Sequence, residues 1–237
     1  METKEKAVWI TGANSGIGRS ITHHFSKNNV NCIASARRKE VLNKMRSEYV
    51  EFENKIIVSP LDVSNIDEVS EATLKILKNY DVDCVINNAG ITTFTPTEED
   101  SMDNIYSIIQ TNLIGSIAII KNILPHFKKR GGGTIINILS VAATTIFKDS
   151  SIYSASKAGL MAYSNVLREE VRKYNIKVIN VLPGATRTPI WSSEMLTDNA
   201  SKMMSPEDIA KIIYDVYAID TDLVAEEIVL RPIGGDL

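Results

Sequence analysis

Little in this chain can ligate a metal or close a disulfide. Of its 237 residues, two are cysteine and three are histidine. Cys32 and Cys84 each sit inside an apolar run that reads as a buried strand, where a thiol serves as a small hydrophobe. His23, His24 and His126 lack cysteine or acidic partners at ligand spacing, so they read as surface or capping residues and no metal is expected. A strong excess of charge of either sign is also lacking, with 26 lysines and arginines against 29 acidic residues. The net charge of −3 leaves no global basic field to hold nucleic acid or anionic lipid. The longest apolar stretch, residues 113–124, is broken by Ser116, Lys121 and Asn122 and is too short to span a bilayer. Met1-Glu2-Thr3-Lys4-Glu5-Lys6 is a polar lead with no apolar signal region behind it. A soluble, cytoplasmic protein with no nucleic-acid or membrane partner is the expectation.

What the chain does have is a large apolar fraction, 44 %, enough for one sizeable core. No linker, repeat or low-complexity segment divides it, and Gly131-Gly132-Gly133 reads as a short turn. Short β-rich runs fall at residues 7–10, 30–35, 55–59, 82–86, 134–139, 177–181 and 227–230. Helical spacing lies between them at 18–27, 39–49, 66–78, 103–129, 152–173 and 206–217. Strands separated by helices of that length predict right-handed crossovers and a parallel sheet covered on both faces. The central strands are near-continuous apolar runs, as doubly buried strands should be. The predicted fold is one α/β domain over residues 1–237, a Rossmann-like doubly wound sheet.

The first strand opens into Thr11-Gly12-Ala13-Asn14-Ser15-Gly16-Ile17-Gly18. Glycines in that position permit a tight turn and let the backbone approach a pyrophosphate, which then sits on a helix N-terminus. The spacing is G-x-x-x-G-x-G, not G-x-G-x-x-G. The second strand runs into Arg37-Arg38 with no acid at its end. An acid there would bond a ribose 2′-hydroxyl, whereas arginine suits a 2′-phosphate, so the cofactor reading leans to NADP, with NAD possible. The two arginines read otherwise as the start of a solvated helix. Asp62-Val63 follows the third strand, and Asn87-Asn88-Ala89-Gly90 the fourth. Both segments should face the crevice beyond the carboxyl ends of the strands. Asp62 reads equally well as a helix cap ahead of Ser64.

Tyr153 and Lys157 stand one helical turn apart, and Ser140 lies thirteen positions before the tyrosine. TGxxxGIG, NNAG, Ser140, YxxxK and Pro183-Gly184 followed by Thr188, in that order, resemble the classical short-chain dehydrogenase/reductase family. The motifs run from Lys6 to Thr188, and the α/β pattern beyond them also fits. The resemblance implies a sheet of about seven mainly parallel strands, NAD(P)-dependent hydride transfer between a carbonyl and an alcohol, and a homodimer or homotetramer. It makes Tyr153 the acid in reduction and the base in oxidation. A free phenol titrates near ~10, so the charge on Lys157 is expected to favour the phenolate. Ser140 would polarise the substrate carbonyl, and Asn112 would hold a proton path. Pro183, Gly184, Thr186 and Thr188 would form the nicotinamide-side loop, with Thr188 on the carboxamide.

The same resemblance puts a substrate lid at residues 189–205, carrying Trp191, Met195, Leu196, Met203 and Met204. Thr92, Phe94, Thr144, Thr145, Ile146 and Phe147 are candidate pocket walls, and Arg187 is the nearby cation. A small or medium ketone, aldehyde, 3-oxoacyl or hydroxy acid compound is the expected substrate. Apolar residues on more than one face of the helices at 112–129 and 152–173 point to a subunit interface. Two other functions compete. A nucleotide-sensing regulator would have no need of the serine, tyrosine and lysine together. A sugar-nucleotide epimerase shares Tyr-x-x-x-Lys but has a longer C-terminal substrate domain than the fifty or so residues after Pro183-Gly184.

Overall fold

Alternation of apolar strands and amphipathic helices resolves into seven strands: β1 (Glu5–Thr11), β2 (Cys32–Ser35), β3 (Ile56–Val58), β4 (Tyr80–Asn87), β5 (Gly133–Ile138), β6 (Ile176–Pro183) and β7 (Glu227–Leu230). In the computed structural model, which describes residues 4–236, all pairings are parallel and the order is β3-β2-β1-β4-β5-β6-β7. Met1–Thr3 of the polar lead and Leu237 lie outside the described residues. The chain starts mid-sheet, steps outward to β3, then returns to β4 on the other side of β1. Carboxyl ends diverge at that reversal, and a crevice opens there.

Period-two alternation divides the apolar strands between two cores. On β1, Val8 and Ile10 face one side while Ala7 and Trp9 face the other. The first side is closed by α1 (Gly16–Lys27), α2 (Lys39–Glu48) and α8 (Pro206–Tyr217), through Ile21, Phe25, Leu42 and Ile209. The second is closed by α3 (Ile66–Asn79), α5 (Ser116–Arg130) and α6 (Ser151–Val171), through Val69, Ile119, Phe127 and Leu167. Cys32 and Cys84 are buried, free, and both on the first side, where burial pushes their thiols up and leaves them unreactive.

Boundaries shift where backbone groups have a better partner. The second strand starts at Cys32, not residue 30, because Asn29 turns left-handed (φ 64°) and the Val30 N–H closes the end of α1 on the Phe25 carbonyl at 3.1 Å. The helix expected at 103–129 is α4 (Met102–Ile109), a π-helical stretch (Gln110–Gly115) and α5 end to end. That run, Met102–Arg130, is long and apolar enough to cross a membrane, yet Ala118, Ile119, Ile120, Ile123 and Phe127 are buried against the sheet. A short helix the sequence pattern did not mark, α7 (Ser193–Asn199), lies inside the 189–205 stretch.

α6 is fastened to the sheet by polar groups. Asn87 on β4 and Asn137 on β5 are register partners, and Asn87 Nδ2 donates to Asn137 Oδ1 at 2.8 Å. Asn137 Nδ2 in turn donates to Ser164 Oγ at 2.9 Å. The buried Arg168 guanidinium adds bonds to the Val178 and Glu226 carbonyls, both at 3.1 Å. Buried polar groups specify position because a slip would leave them unpaired. The helix carrying Tyr153 and Lys157 is therefore held in one register over β5 and β6.

Candidate active site

The glycine loop is stitched to the end of β4. Asn88 Nδ2 donates to the carbonyls of Thr11 (3.0 Å) and Gly12 (3.1 Å), and Thr11 Oγ1 accepts the N–H groups of Asn88 and Ala89, each at 3.1 Å. Glycine is required at both ends of this knot. Gly12 is left-handed (φ +64°), and a Cβ on Gly18 would stand 2.3 Å from the Gly12 carbonyl oxygen. A cleft of about 450 Å³ opens over the loop, lined by Gly12, Asn14, Ser15, Gly16 and Ile17. Arg37 and Arg38 line its far end, and Asp62, Val63, Asn88, Ala89 and Gly90 its other wall. Gly18 stays beneath the floor. Asp62 lines the cleft, but it does not cap the helix that follows: its Oδ1 accepts from the N–H (3.0 Å) and hydroxyl (2.7 Å) of Ser64 in the preceding turn, and Asn65 is the N-cap of α3, accepting the Glu68 N–H.

Asn112 sits in the π-helical stretch, wholly buried. π-Turns often occur at functional positions because the extra residue re-aims a side chain. Here the carboxamide turns onto Ile91: Oδ1 accepts from its N–H and Nδ2 donates to its carbonyl, both at 2.9 Å. Nδ2 also donates to Ser156 Oγ at 3.0 Å, tying α6 to the β4 loop. Gly90 lies against the same group, where a Cβ would be in ordinary contact, 3.4 Å from both Asn112 Oδ1 and Lys157 Nζ.

Tyr153 and Lys157 meet at the cleft floor, with Lys157 Nζ 5.7 Å from the Tyr153 ring centroid and donating to the Ile138 carbonyl at 2.8 Å. Burial lowers the Lys157 ammonium to about 8. Burial raises the Tyr153 phenol above its ordinary value, and the Ser140 hydroxyl opposes that rise. The depression by Lys157 expected from spacing alone is therefore not the governing effect on the isolated protein; desolvation is. Ser140 caps the turn after β5, accepting the Ala142 N–H at 3.1 Å.

A second cavity of about 330 Å³ adjoins the first. Ile17, Thr92, Leu139, Tyr153, Thr188 and Ile190 line both, so Tyr153 stands on the wall that the two spaces share. Ser140, Pro183, Gly184 and Thr186 face the second cavity rather than the first. Of the candidate wall residues, Thr92, Phe94 and Phe147 line it; Thr144, Thr145 and Ile146 do not, and Ile146 is 97 % exposed. The lining cation is Lys148, not Arg187. Trp191 is fixed by its Nε1 donating to the Thr186 carbonyl at 3.0 Å and stacks on Phe94 with centroids 5.0 Å apart and planes 5° from parallel. Met195 lines the cavity, while Met203 is buried and Met204 packs against the first core. Sequence reasoning did not mark Leu139, Val141, Ser150 or Asp236, which also line it. None carries a local motif; the fold brings them there.

The histidines lie elsewhere. His23 stacks on Tyr49 with centroids 4.5 Å apart, and His126 Nε2 contacts the Val82 carbonyl at 2.9 Å. Among the described residues no three histidine, cysteine or acidic side chains gather as a metal would need.

A parallel sheet that reverses over a glycine loop, with a serine, tyrosine and lysine at its crevice, defines a nucleotide-binding α/β oxidoreductase. The family sequence model of the short chain dehydrogenases matches residues 6–199, and the chain belongs to that family. It is 32 % identical over 236 residues to a sepiapterin reductase of Chlorobaculum tepidum, covering 96 % of each chain. It is equally identical to a dehydrogenase/reductase SDR family protein 7-like of Drosophila melanogaster, over 94 % of this chain and 73 % of that one. Among solved structures, an alcohol dehydrogenase of the archaeon Thermococcus sibiricus complexed with 5-hydroxy-NADP superposes with a TM-score of 0.85 at 26 % identity, over 97 % of both chains. ElxO with NADP bound gives 0.88 at 26 %, also over 97 % of both.

Proposed function

We propose that this protein is an NADP(H)-dependent oxidoreductase that interconverts a carbonyl and an alcohol, with Tyr153 as the proton donor in reduction and acceptor in oxidation. The observation that carries this reading is that Tyr153 is the one titratable residue among the six that line both the glycine-floored cleft and the second cavity. A group shared by a nucleotide site and a substrate site is where a reacting atom stands. The cleft fits a dinucleotide: its floor is glycine where a Cβ would collide, and two arginines stand where a 2′-phosphate would lie. NADP in the solved relatives favours the same cofactor.

A bound reduced nicotinamide supplies the hydride. The chain's own residues manage the proton. A phenol raised by burial stays protonated at neutral pH, the form needed to donate to an oxygen gaining negative charge. Lys157, titrating at about 8, is mainly cationic at pH 7 and supplies positive charge beside that proton. The Ser140 hydroxyl is placed to donate to the substrate oxygen, while Asn112 holds the Ile91 loop and Ser156 in one arrangement. Residues 189–205 serve as a lid on this one domain, pinned by Trp191 on Phe94. Tyr106, Ile114 and Val166 leave apolar surface exposed on the α4–α6 side, which supports a homodimer or homotetramer.

The test is a screen of ketones, aldehydes and alcohols with NADPH, NADH and their oxidised forms, following absorbance of the reduced nicotinamide. Sepiapterin, the compound in one relative's name, belongs in the first panel. Turnover of no carbonyl or alcohol in a broad panel would sink the reading.

A further inference from the structure

One wall of the second cavity comes from the stretch that follows β7. The Gly184 N–H donates to the Leu230 carbonyl at 2.7 Å, and a Cβ on Gly184 would stand 3.3 Å from Pro232 Cδ and 3.4 Å from Asp236 Oδ1. The chain therefore folds back over the Pro183-Gly184 turn and brings the Asp236 carboxylate onto the cavity. Arg231 holds it there. Its guanidinium pairs with Asp236 Oδ2 and donates to Thr145 Oγ1 at 2.9 Å. Two loops far apart in sequence are thus fastened across the mouth of the cavity by one arginine.

Among the described residues, two charged ones line this space, Lys148 and Asp236. Lys148 is exposed, so its ammonium is hydrated and contributes little inside. The Asp236 side chain keeps only 23 % of its exposure. Arg231 offsets much of that side chain's charge but does not itself line the cavity, so the end of the ion pair that faces inward is the carboxylate. An entering carboxylate therefore meets the acidic end of an ion pair, whereas an N–H donor meets a carboxylate whose Oδ1 lies beside the Gly184 turn while Oδ2 holds Arg231. Phe94, Phe147 and Trp191 supply apolar wall between the hydroxyl groups of this cavity, and reduced water beside them strengthens such a contact.

We propose that Asp236 is a specificity-determining residue: it makes this cavity select carbonyl compounds that carry a nitrogen hydrogen-bond donor, such as an amine or amidine, over those that carry a carboxylate. The inference rests on the oxidoreductase reading above and adds to it the chemical class of the substrate.

Two matched aromatic ketones serve as probes, para-(aminomethyl)acetophenone and para-acetylbenzoate. Selectivity is read twice, as the ratio of kcat/KM with NADPH and as the ratio of dissociation constants by calorimetry on the NADPH-loaded Tyr153→Phe protein. The wild type should favour the amine in both. Asp236→Asn should lower the amine-to-carboxylate ratio about tenfold or more, the scale of one charge-assisted hydrogen bond. Arg231→Ala frees the carboxylate of its competitor and should raise the ratio. A purely structural clasp predicts otherwise, since both variants break the same ion pair and would move the ratio together. That outcome, or an unchanged ratio in Asp236→Asn, overturns the proposal. Absent turnover with the binding ratio still shifting as expected would tell against the oxidoreductase reading and leave Asp236 as the selector.

Discussion

The side chain of Asn112 satisfies both backbone groups of Ile91, accepting its N–H and donating to its carbonyl at 2.9 Å each. A carboxamide is the smallest side chain that can present a donor and an acceptor side by side, and the π-helical stretch is what aims it. Replacing Asn112 with Ala strands two peptide groups at about 1–3 kcal/mol apiece before relaxation or water entry. We expect a lowered Tm together with a lowered kcat/KM, because the same loop carries Gly90 against the Lys157 ammonium. Differential scanning calorimetry alongside steady-state kinetics checks both. Intact activity in a destabilised variant would show that the brace is only structural.

Tyr153→Phe removes one hydroxyl from the wall that the two cavities share. Loss of an acid or base typically costs about 10²–10⁴ in rate, and that fall in kcat is expected here with NADPH affinity within a few-fold. Fluorescence titration of the nucleotide and turnover assays separate the two. Near-normal turnover rules out the proton-transfer role.

Arg37 and Arg38 lie at the end of the cleft with no acid at the close of β2. Changing both to Ala should weaken NADPH by about 10–100-fold, as expected for loss of one or two charge-assisted bonds, and leave NADH within about threefold. Dissociation constants for both nucleotides, measured at one fixed salt concentration, provide the comparison. Equal weakening would place the 2′-phosphate elsewhere.

Lys157 sets function against stability. Burial lowers its pKa from the ordinary 10.5 to about 8, so between those values the unfolded chain binds more protons than the folded one. Stability contributed by this group therefore rises with pH across that window, and its burial cost is fully present below about 8. Lys157→Met should lose turnover while its Tm at pH 7 equals or exceeds that of the wild type, and the advantage should shrink by pH 10. In the wild type, reductive kcat/KM should decline as pH rises through about 8, where the ammonium is lost. A pH-independent Tm difference would show that desolvation is not what shifts this lysine.

The sheet was legible because its central, doubly buried strands must be continuous apolar runs, and these and the two shorter edge strands alternate with helices in the sequence. Their ends were less so: the starting points of β2 and the helix at Met102–Arg130 depend on who receives a particular N–H, as with Val30 on Phe25. Residues of the nucleotide cleft sit in short motifs directly after strands, where topology alone decides what they face. Asn88 was visible as part of such a motif, but not its role as the stitch between Thr11, Gly12 and β4. The substrate side was the least legible. Its walls come from segments near residues 94, 147, 191 and 236, each ordinary by itself, and only packing makes them neighbours. Burial of Tyr153 was not legible for a related reason: helical spacing reports its proximity to Lys157 but carries no information about water.

The knot between the glycine loop and β4 also bears on how the molecule assembles. β1 pairs with β2 early in the chain, but its other neighbour, β4, begins only at Tyr80. Until that strand docks, Asn88 cannot brace Gly12, and the glycine loop proposed to cradle phosphate exists as a loose turn. Cofactor affinity is thus a property of both halves joined, and by mass action each tenfold rise in free nucleotide above its dissociation constant adds about 1.4 kcal/mol to that joining. A cell rich in the right nucleotide would thereby act on this protein as a folding aid before it acts as a supply of reducing equivalents.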